Sequence, residues 1–375
     1  MSSNILAIGY AKRALESGTR DRERMQKYAD ALGSYHLVVF TRVAEGFPDF
    51  QQSGNLYLYA TNARSRVGML WRAYQISKEI LAKHDQFFIV TSQDPFETAL
   101  VGRAVAKGNR ATHHVQIHGD VFNPQSYHNS WVQRLRVLYG RYVVRRTQCI
   151  RVVSERIKRS LVQLGVQAAQ VTVLPIQSDL RQFLQVGEHR VYNPHRAPAF
   201  LYVGRFAAEK NISLLLNAFA SLVKIYPECS LTLLGDGPLH DEVTEQIKRH
   251  QLQGCVRVLP WTDTVPAVMA KHDVLCVSSQ HEGWGMVLLE AGAAGMPVVT
   301  TDVGCAGERI IDQENGRVVP VGDESAYTDA LTTYAARPEL IASQGQRGYV
   351  SVRQQAPSEV EYLAQLVESF ASCGQ

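Results

Sequence analysis

Four charged side chains suggest the chemistry of this chain. Glu282 and Glu290 bracket the stretch EGWGMVLLEA, and Arg205 and Lys210 stand close together in GRFAAEKN. Two cations at a strand end beside a helix N-terminus suit a diphosphate: arginine matches its oxygens in a fork, and lysine adds a point charge. The plainer alternative is a solvated pair, with Glu209 balancing Lys210. Gly283 and Gly285 let the backbone approach a ligand where a helix opens, and free N–H groups at such a terminus attract anions. Glu282 at that mouth would repel an anion. It fits an acceptor for sugar hydroxyls instead, with the amides behind it facing phosphate.

These residues need elements to hold them. Val274–Val277 reads as a buried strand, Ser278–His281 as a polar turn, Met286 to about Ala294 as a helix and Pro297–Thr300 as a second strand, the unit of a parallel α/β sheet. Further apolar strands fall at 199–203, 230–234, 256–259 and 317–320, with helices at 212–224, 323–336 and 339–353. The first half alternates in the same way, with strands at 4–8, 36–40, 55–60, 87–91, 114–118, 149–153 and 171–174. Helices are expected there at 19–32, 67–83, 96–107, 131–146 and from Ser154 to about Leu164. Such alternation predicts an α/β protein of two domains. The linker is placed at about 185–197, giving domains 1–190 and 191–356 and a terminal helix within 357–375. Gln93 and Asp94 follow a strand end, where ligands of open parallel sheets bind. Asp94 equally suits a cap for helix 96–107, with Pro95 at its start. No G-x-G-x-x-G follows the first strand, which argues against an N-terminal dinucleotide site.

The paired glutamates in EGWGMVLLEA, the following AAGMPVV, Gly204-Arg205 with Glu209-Lys210-Asn211, and Gly235-Asp236-Gly237-Pro238 together resemble the retaining nucleotide-sugar glycosyltransferases of family 4. The resemblance implies the GT-B fold: two Rossmann-like domains facing each other across a cleft, with a C-terminal helix crossing back to the first. It implies transfer of a sugar, of hexosyl or N-acetylhexosaminyl type, from a nucleoside-diphosphate sugar to a hydroxyl with retained anomeric configuration. His118, Arg205, Lys210 and Glu282 become the catalytic candidates, His118 because its strand ends in His-Gly as the family's does. The donor would be held by Gly204, Arg205, Lys210, Gly235, Asp236, Pro260, Trp261, Glu282, Gly283, Trp284, Gly285, Met286, Val287 and Glu290, the last on the ribose. Gly18, Gln93, Asp94 and Asp120 fall on the acceptor side, while His113 and His114 are expected to flank the strand without a role. No cofactor or metal is implied. The chain departs from the pattern in its first loop, GYAKRALESGTRDRER, which lacks a Gly-Gly pair. It also has Ile176-Gln177 where the family has Asn-Gly.

The partners then expected are a nucleotide sugar and a glycan or lipid-linked acceptor, in cell-surface polysaccharide or glycolipid synthesis. Alternatives are a catalytically silent nucleotide-sugar-binding partner protein and a GT-B nucleotide-sugar epimerase. A net charge of +4 over 375 residues is unevenly spread. Residues 1–185 hold 25 Lys and Arg against 13 Asp and Glu, and the remainder 14 against 22. The basic half suits an anionic partner, whether nucleic acid, an anionic membrane surface or a phosphorylated acceptor; with the resemblance, a membrane surface is the expected one and nucleic acid is not. Within it, WVQRLRVLYGRYVVRR predicts an amphipathic helix with Trp131, Leu135, Leu138 and Tyr142 on one face and Arg134, Arg141 and Arg145 on another. Such a basic amphipathic helix can lie on an anionic bilayer, but its apolar face is expected to pack on the domain's own sheet, as a crossover helix does. No apolar run is long enough to span a membrane and no leader pattern opens the chain, so a cytoplasmic or peripheral location is expected. The 6 cysteines are scattered, without zinc-like spacing.

Overall fold

The computed structural model describes residues 3–122 and 131–373. Two compact units emerge, Met1–Pro175 with Pro357–Gln375, and Ile176–Ala356.

The first unit opens with β1 (Ser3–Gly9), α1 (Arg20–Leu32) and β2 (Gly33–Val39). It continues through β3 (Phe50–Ser53), β4 (Leu56–Ala60), α2 (Arg66–Ala82), β5 (Phe88–Ser92) and α3 (Glu97–Ala106). It ends with β6 (Ala111–Ile117), α4 (Trp131–Val144), β7 (Cys149–Val152), α5 (Glu155–Gln163) and β8 (Val171–Val173). The strands form one sheet in the order β3-β4-β2-β1-β5-β6-β7-β8. Every pairing is parallel except β3 with β4. Both faces are covered, which is why its central strands read as unbroken apolar runs: Ile5 and Ala7 pack on one side, Leu6 and Ile8 on the other. The short β3 has no apolar signal, since FQQS is largely exposed and becomes a strand only through antiparallel pairing with β4.

The second unit begins with α6 (Arg181–Glu188), β9 (Ala199–Val203), α7 (Ile212–Val223), β10 (Ser230–Leu234) and α8 (His240–Arg249). Next come β11 (Val256–Leu259), α9 (Val265–Met269), β12 (Val274–Val277), α10 (Met286–Ala293) and β13 (Val298–Thr301). β14 (Gly316–Val319), α11 (Glu324–Ala336) and α12 (Glu339–Gln355) complete it. Its sheet is wholly parallel, in the order β11-β10-β9-β12-β13-β14. Its core joins Phe200, Tyr202, Phe219, Tyr327 and Tyr334. The strand order reverses direction between β9 and β12. At such a switch point the two flanking loops diverge and leave a crevice at the carboxyl ends.

Two sequence expectations are corrected. The division falls at Pro175, not 190, because α6 packs on α10 and α12. A Cβ at Gly187 would come within 2.2 Å of the Ala293 carbonyl, so the approach is close enough to require glycine. The second correction concerns α4. Trp131, Leu135, Leu138 and Tyr142 are exposed, and Val137, Gly140, Val143 and Val144 face inward. Gly140 decides the orientation: a Cβ there would lie 2.8 Å from the Phe96 ring.

The chain's last helix, α13 (Glu359–Ala371), belongs to the first unit. A capping box formed by Ser358 and Glu361 starts it. Tyr362, Leu366 and Phe370 are buried among Leu15, Met25 and Tyr35. The Tyr362 hydroxyl accepts from Arg151 Nη2 at 2.7 Å and lies 3.3 Å from the Tyr28 hydroxyl. Arg151 is itself buried, and also donates to the Leu174 and Pro175 carbonyls and to Gln116.

Candidate functional site

The second unit gathers its charged candidates at its switch point. Gly204 follows β9, and after Arg205 the chain makes a 3-10 turn, Ala208–Lys210, closed by Asn211 at φ 46°. From the neighbouring strand β12 comes the turn carrying Glu282. Lys210 Nζ donates to Glu282 Oε1 at 2.6 Å, and Ser279 Oγ donates to the same oxygen at 2.8 Å. Three further bonds fix the two turns. Ser278 Oγ donates to the Lys210 carbonyl at 2.9 Å and Gln280 N–H to the Glu209 carbonyl at 2.8 Å. Thr301 Oγ1, at the end of β13, donates to the Ser279 carbonyl at 2.6 Å. Glu209 pairs with Arg205, at 2.6 Å, and not with Lys210. The Arg205 side chain is 65% exposed, so this pair contributes little and leaves the guanidinium accessible to an anion.

Beside this pair, Gly285 takes a left-handed conformation, φ 76°, and α10 begins at Met286. The first N–H groups of that helix, those of Met286 and Val287 included, have no intrahelical acceptors. Leu288 N–H bonds back to Gly285 at 2.9 Å. Trp284 is buried, its carbonyl held by the Cys305 N–H at 2.9 Å. Its indole N–H is buried with no partner among the described residues. Gly304, φ 57°, passes so near that a Cβ would meet the Trp284 carbonyl at 2.6 Å. Gly283 completes the turn, half-buried. Glu290 lies one turn into α10, with Ser178 Oγ donating to it at 3.4 Å. Burial raises its pKa above the ordinary carboxylate value, and the Ser178 bond partly offsets that.

The loops after β9 and β10 are zipped backbone to backbone. Gly204 N–H reaches the Leu234 carbonyl at 3.0 Å and Phe206 N–H the Asp236 carbonyl at 2.8 Å. A Cβ at Gly235, φ 155°, would stand 1.9 Å from the Gly204 carbonyl oxygen. Asp236 is exposed, its Oδ1 3.1 Å from His240 Nδ1. Pro260 and Trp261 follow β11 on the same rim, both exposed. Arg205, Lys210, Glu282 and the α10 terminus are thus brought to the carboxyl ends of the adjacent β9 and β12, and Asp236, Pro260 and Trp261 follow the carboxyl ends of β10 and β11 beside them.

In the first unit, His118 follows β6 and keeps exposed surface. Crowding by protein, then the Arg151 and Arg24 charges, lower its pKa, which favours the neutral imidazole. Asp120, half-buried, lies two residues on. Asp94 closes the turn ahead of α3 without capping it: its Oδ1 accepts the N–H of Phe96, the helix's N-cap, at 2.6 Å, and burial raises its pKa. Gln93 Oε1 accepts the Tyr10 N–H at 3.1 Å. Gly18, φ 76°, turns the chain into the Thr19 cap of α1. His113 and His114 lie inside β6 rather than beside it, bonded to Ser92 and Thr91.

Ser178, Ser279 and Thr301 were not singled out from sequence. The two hydroxyls that brace Glu282's turn are buried at strand ends, where serine and threonine carry no pattern of their own. Ser178 sits in PIQSDL, beside the departure at Ile176-Gln177. Among the described residues no cluster of three or more His, Cys, Asp or Glu is placed to hold a metal ion. No described helix is long and apolar enough to cross a membrane.

The chain matches the family described as "Glycosyl transferases group 1" over residues 188–350 and the "Glycosyl transferase 4-like domain" over 21–177. It is 30% identical to the lipopolysaccharide core biosynthesis glycosyltransferase LpsE of Rhizobium meliloti, over 55% of this chain and 59% of that protein. It is 31% identical to the N-acetyl-alpha-D-glucosaminyl L-malate synthase of Bacillus anthracis, over 42% of each. These matches therefore span 42% to 59% of those relatives' lengths. In structure it resembles the sucrose-phosphate synthase of Thermosynechococcus elongatus, with TM-score 0.78, 20% identity and 98% of each chain covered. It also resembles Anabaena HepE, solved in complex with UDP, with TM-score 0.74, 18% identity, and 98% and 100% covered. Both units are Rossmann-like parallel sheets, as in those GT-B neighbours, and the chain belongs to the family 4 glycosyltransferases.

Proposed function

We propose that the protein transfers a hexosyl or N-acetylhexosaminyl unit from a nucleoside-diphosphate sugar to a hydroxyl of a glycan or lipid-linked acceptor, with retention. The observation that carries this reading is the convergence of Lys210 and Glu282 at 2.6 Å beside the opening of α10. In the reaction the bond from the anomeric carbon to the diphosphate oxygen breaks and its electron pair goes to the diphosphate. Lys210, Arg205 and the Met286 and Val287 amides offset that charge without a resident metal. Glu282, turned from Lys210 to the sugar hydroxyls, orients the ring. The acceptor oxygen attacks from the face the diphosphate leaves, and its proton passes to a diphosphate oxygen. Glu290 accepts from the ribose hydroxyls. UDP is the first nucleotide to try, since HepE was solved with it.

The test is a thermal-shift series with UDP, GDP, ADP and their common sugar conjugates in metal-free buffer, on wild type and Lys210→Ala. A shift with one diphosphate, lost in the variant, supports the reading, as does diphosphate release from the matching donor by wild type alone. A flat series on folded wild-type protein overturns it. Selective binding without turnover in the presence of glycan and lipid acceptors favours the silent nucleotide-sugar binder.

A further inference from the structure

We propose that the outer face of α4 is a docking surface for an anionic lipid bilayer. Trp131, Leu135, Leu138 and Tyr142 follow one another at spacings of 4, 3 and 4, so they form one stripe along the helix. They are 72%, 55%, 59% and 46% exposed. The stripe lies opposite the packed face of Val137, Gly140, Val143 and Val144, so the fold does not use it. A tryptophan, two leucines and a tyrosine left in water are not needed for solubility or core packing.

Charge selects the occupant. Between Asp120 and Glu155 the chain has six arginines and no acidic residue. Arg134, Arg141 and Arg145 run along one edge of the stripe by helical position. Arg146 lies on the other, its guanidinium 4.9 Å from the Tyr142 ring. Arg103, from α3, sits over the same ring at 5.0 Å. The first unit as a whole holds 24 Lys and Arg against 15 Asp and Glu. An apolar stripe between rows of guanidinium groups is the pattern of a helix lying in the interface of an anionic membrane, apolar side down and arginines among the headgroup phosphates. A second copy of this chain would bring the same arginines against themselves, which disfavours a symmetric dimer through this face.

The inference does not depend on the donor site. It is tested by co-sedimentation with phosphatidylcholine vesicles, with and without phosphatidylglycerol, for wild type, Leu135→Ser/Leu138→Ser, Trp131→Ser and Arg134→Gln/Arg146→Gln. Wild type is expected to bind the anionic vesicles and to release them at high salt. Each stripe variant should lose about tenfold or more in partition at an unchanged melting temperature, since each buried apolar side chain contributes on the order of 1.4 kcal/mol or more. The arginine variant should lose the preference for anionic lipid. Wild-type binding by a stripe variant, or equal binding to neutral vesicles, overturns the proposal. So does sedimentation velocity that shows stripe-dependent self-association without vesicle binding. Nucleotide-induced thermal shifts are read on the same proteins, so a failure here stays separate from a failure of the donor site.

Discussion

Replacing Glu282 with glutamine should tighten the nucleoside diphosphate while impairing transfer, and the opposed signs make the test sharp. In the donor-free protein the Glu282 carboxylate holds Lys210 at 2.6 Å, with the two side chains 15% and 24% exposed. A diphosphate arriving at Lys210 meets that carboxylate as a competitor and as a like charge. Fully exposed ion pairs are worth up to about 1 kcal/mol, and partial shelter puts this one slightly higher. Removing the carboxylate should therefore tighten UDP, or whichever diphosphate the protein selects, by about five- to tenfold. The glutamine still bonds Ser279 but no longer offers a charged acceptor to sugar hydroxyls. Such hydrogen bonds contribute about 1.5–3 kcal/mol, so the sugar conjugate should lose on the order of tenfold or more relative to the bare diphosphate. Turnover should fall at least as far. Titration calorimetry with UDP and UDP-glucose on wild type and Glu282→Gln separates the terms. If the folded variant binds the diphosphate no tighter than wild type, Lys210 is not the diphosphate cation and the assignment fails.

Three further outcomes follow from the packing. Gly235→Ala, whose Cβ would lie 1.9 Å from the Gly204 carbonyl, should cost about 3 kcal/mol or more, whereas Gly254→Ala, with open space around it, should leave the melting temperature unchanged. Removing residues 357–375 strips Tyr362, Leu366 and Phe370 from the first unit's core, each worth about 2 kcal/mol of burial, and leaves Arg151 without its Tyr362 acceptor. Limited proteolysis should then digest the first unit and spare 176–356, and protection of both units would refute this. Acid should weaken the first unit: burial lowers His36 to about 4 and His114 to about 3 from 6.5, so the unfolded chain binds more protons below pH 6.5. The stability these residues depend on is complete above pH 6.5 and is lost as pH falls toward the folded values. Each should cost about 2 kcal/mol at about pH 5. A urea midpoint that stays flat from about pH 7 to about pH 5 would count against neutral burial of both histidines.

Much of the second unit was readable because parallel strands buried on both faces declare themselves, as AFLYV and VLCV do. What the chain could not show was that Lys210 and Glu282, 72 residues apart, would share a proton-bearing contact. That depends on β9 and β12 being neighbours, a property of strand order and not of either stretch. The same limit explains α4. Periodicity grouped Trp131, Leu135, Leu138 and Tyr142 correctly, but bulk and hydrophobicity sent that stripe to the interior in place of the Val137, Gly140, Val143 and Val144 face. The sheet side has room only for Gly140 and three valines, since Phe96 and Phe122 already occupy it. The boundary at 175 was hidden for a related reason: α6 looks like a linker until Gly187 is seen pressed against α10.

The polar groups at the two switch points differ in what they satisfy. In the first sheet, at the ends of β1 and β5, Gln93 takes the Tyr10 N–H and Asp94 takes the Phe96 N–H. Both side chains satisfy backbone groups that would otherwise be unpaired, so folding alone accounts for them. In the second sheet, Lys210 and Glu282 satisfy each other, and among the described residues only Ser279 assists. Sheltering a charge pair of this kind costs desolvation that two apolar residues would avoid. The bonds that hold the turns, from Ser278, Thr301 and the Gln280 N–H, do not involve either charge. Turns held this firmly around a charge pair that adds so little to stability are what the proposed donor site requires, and they support the reading of Lys210 and Glu282 as ligand contacts.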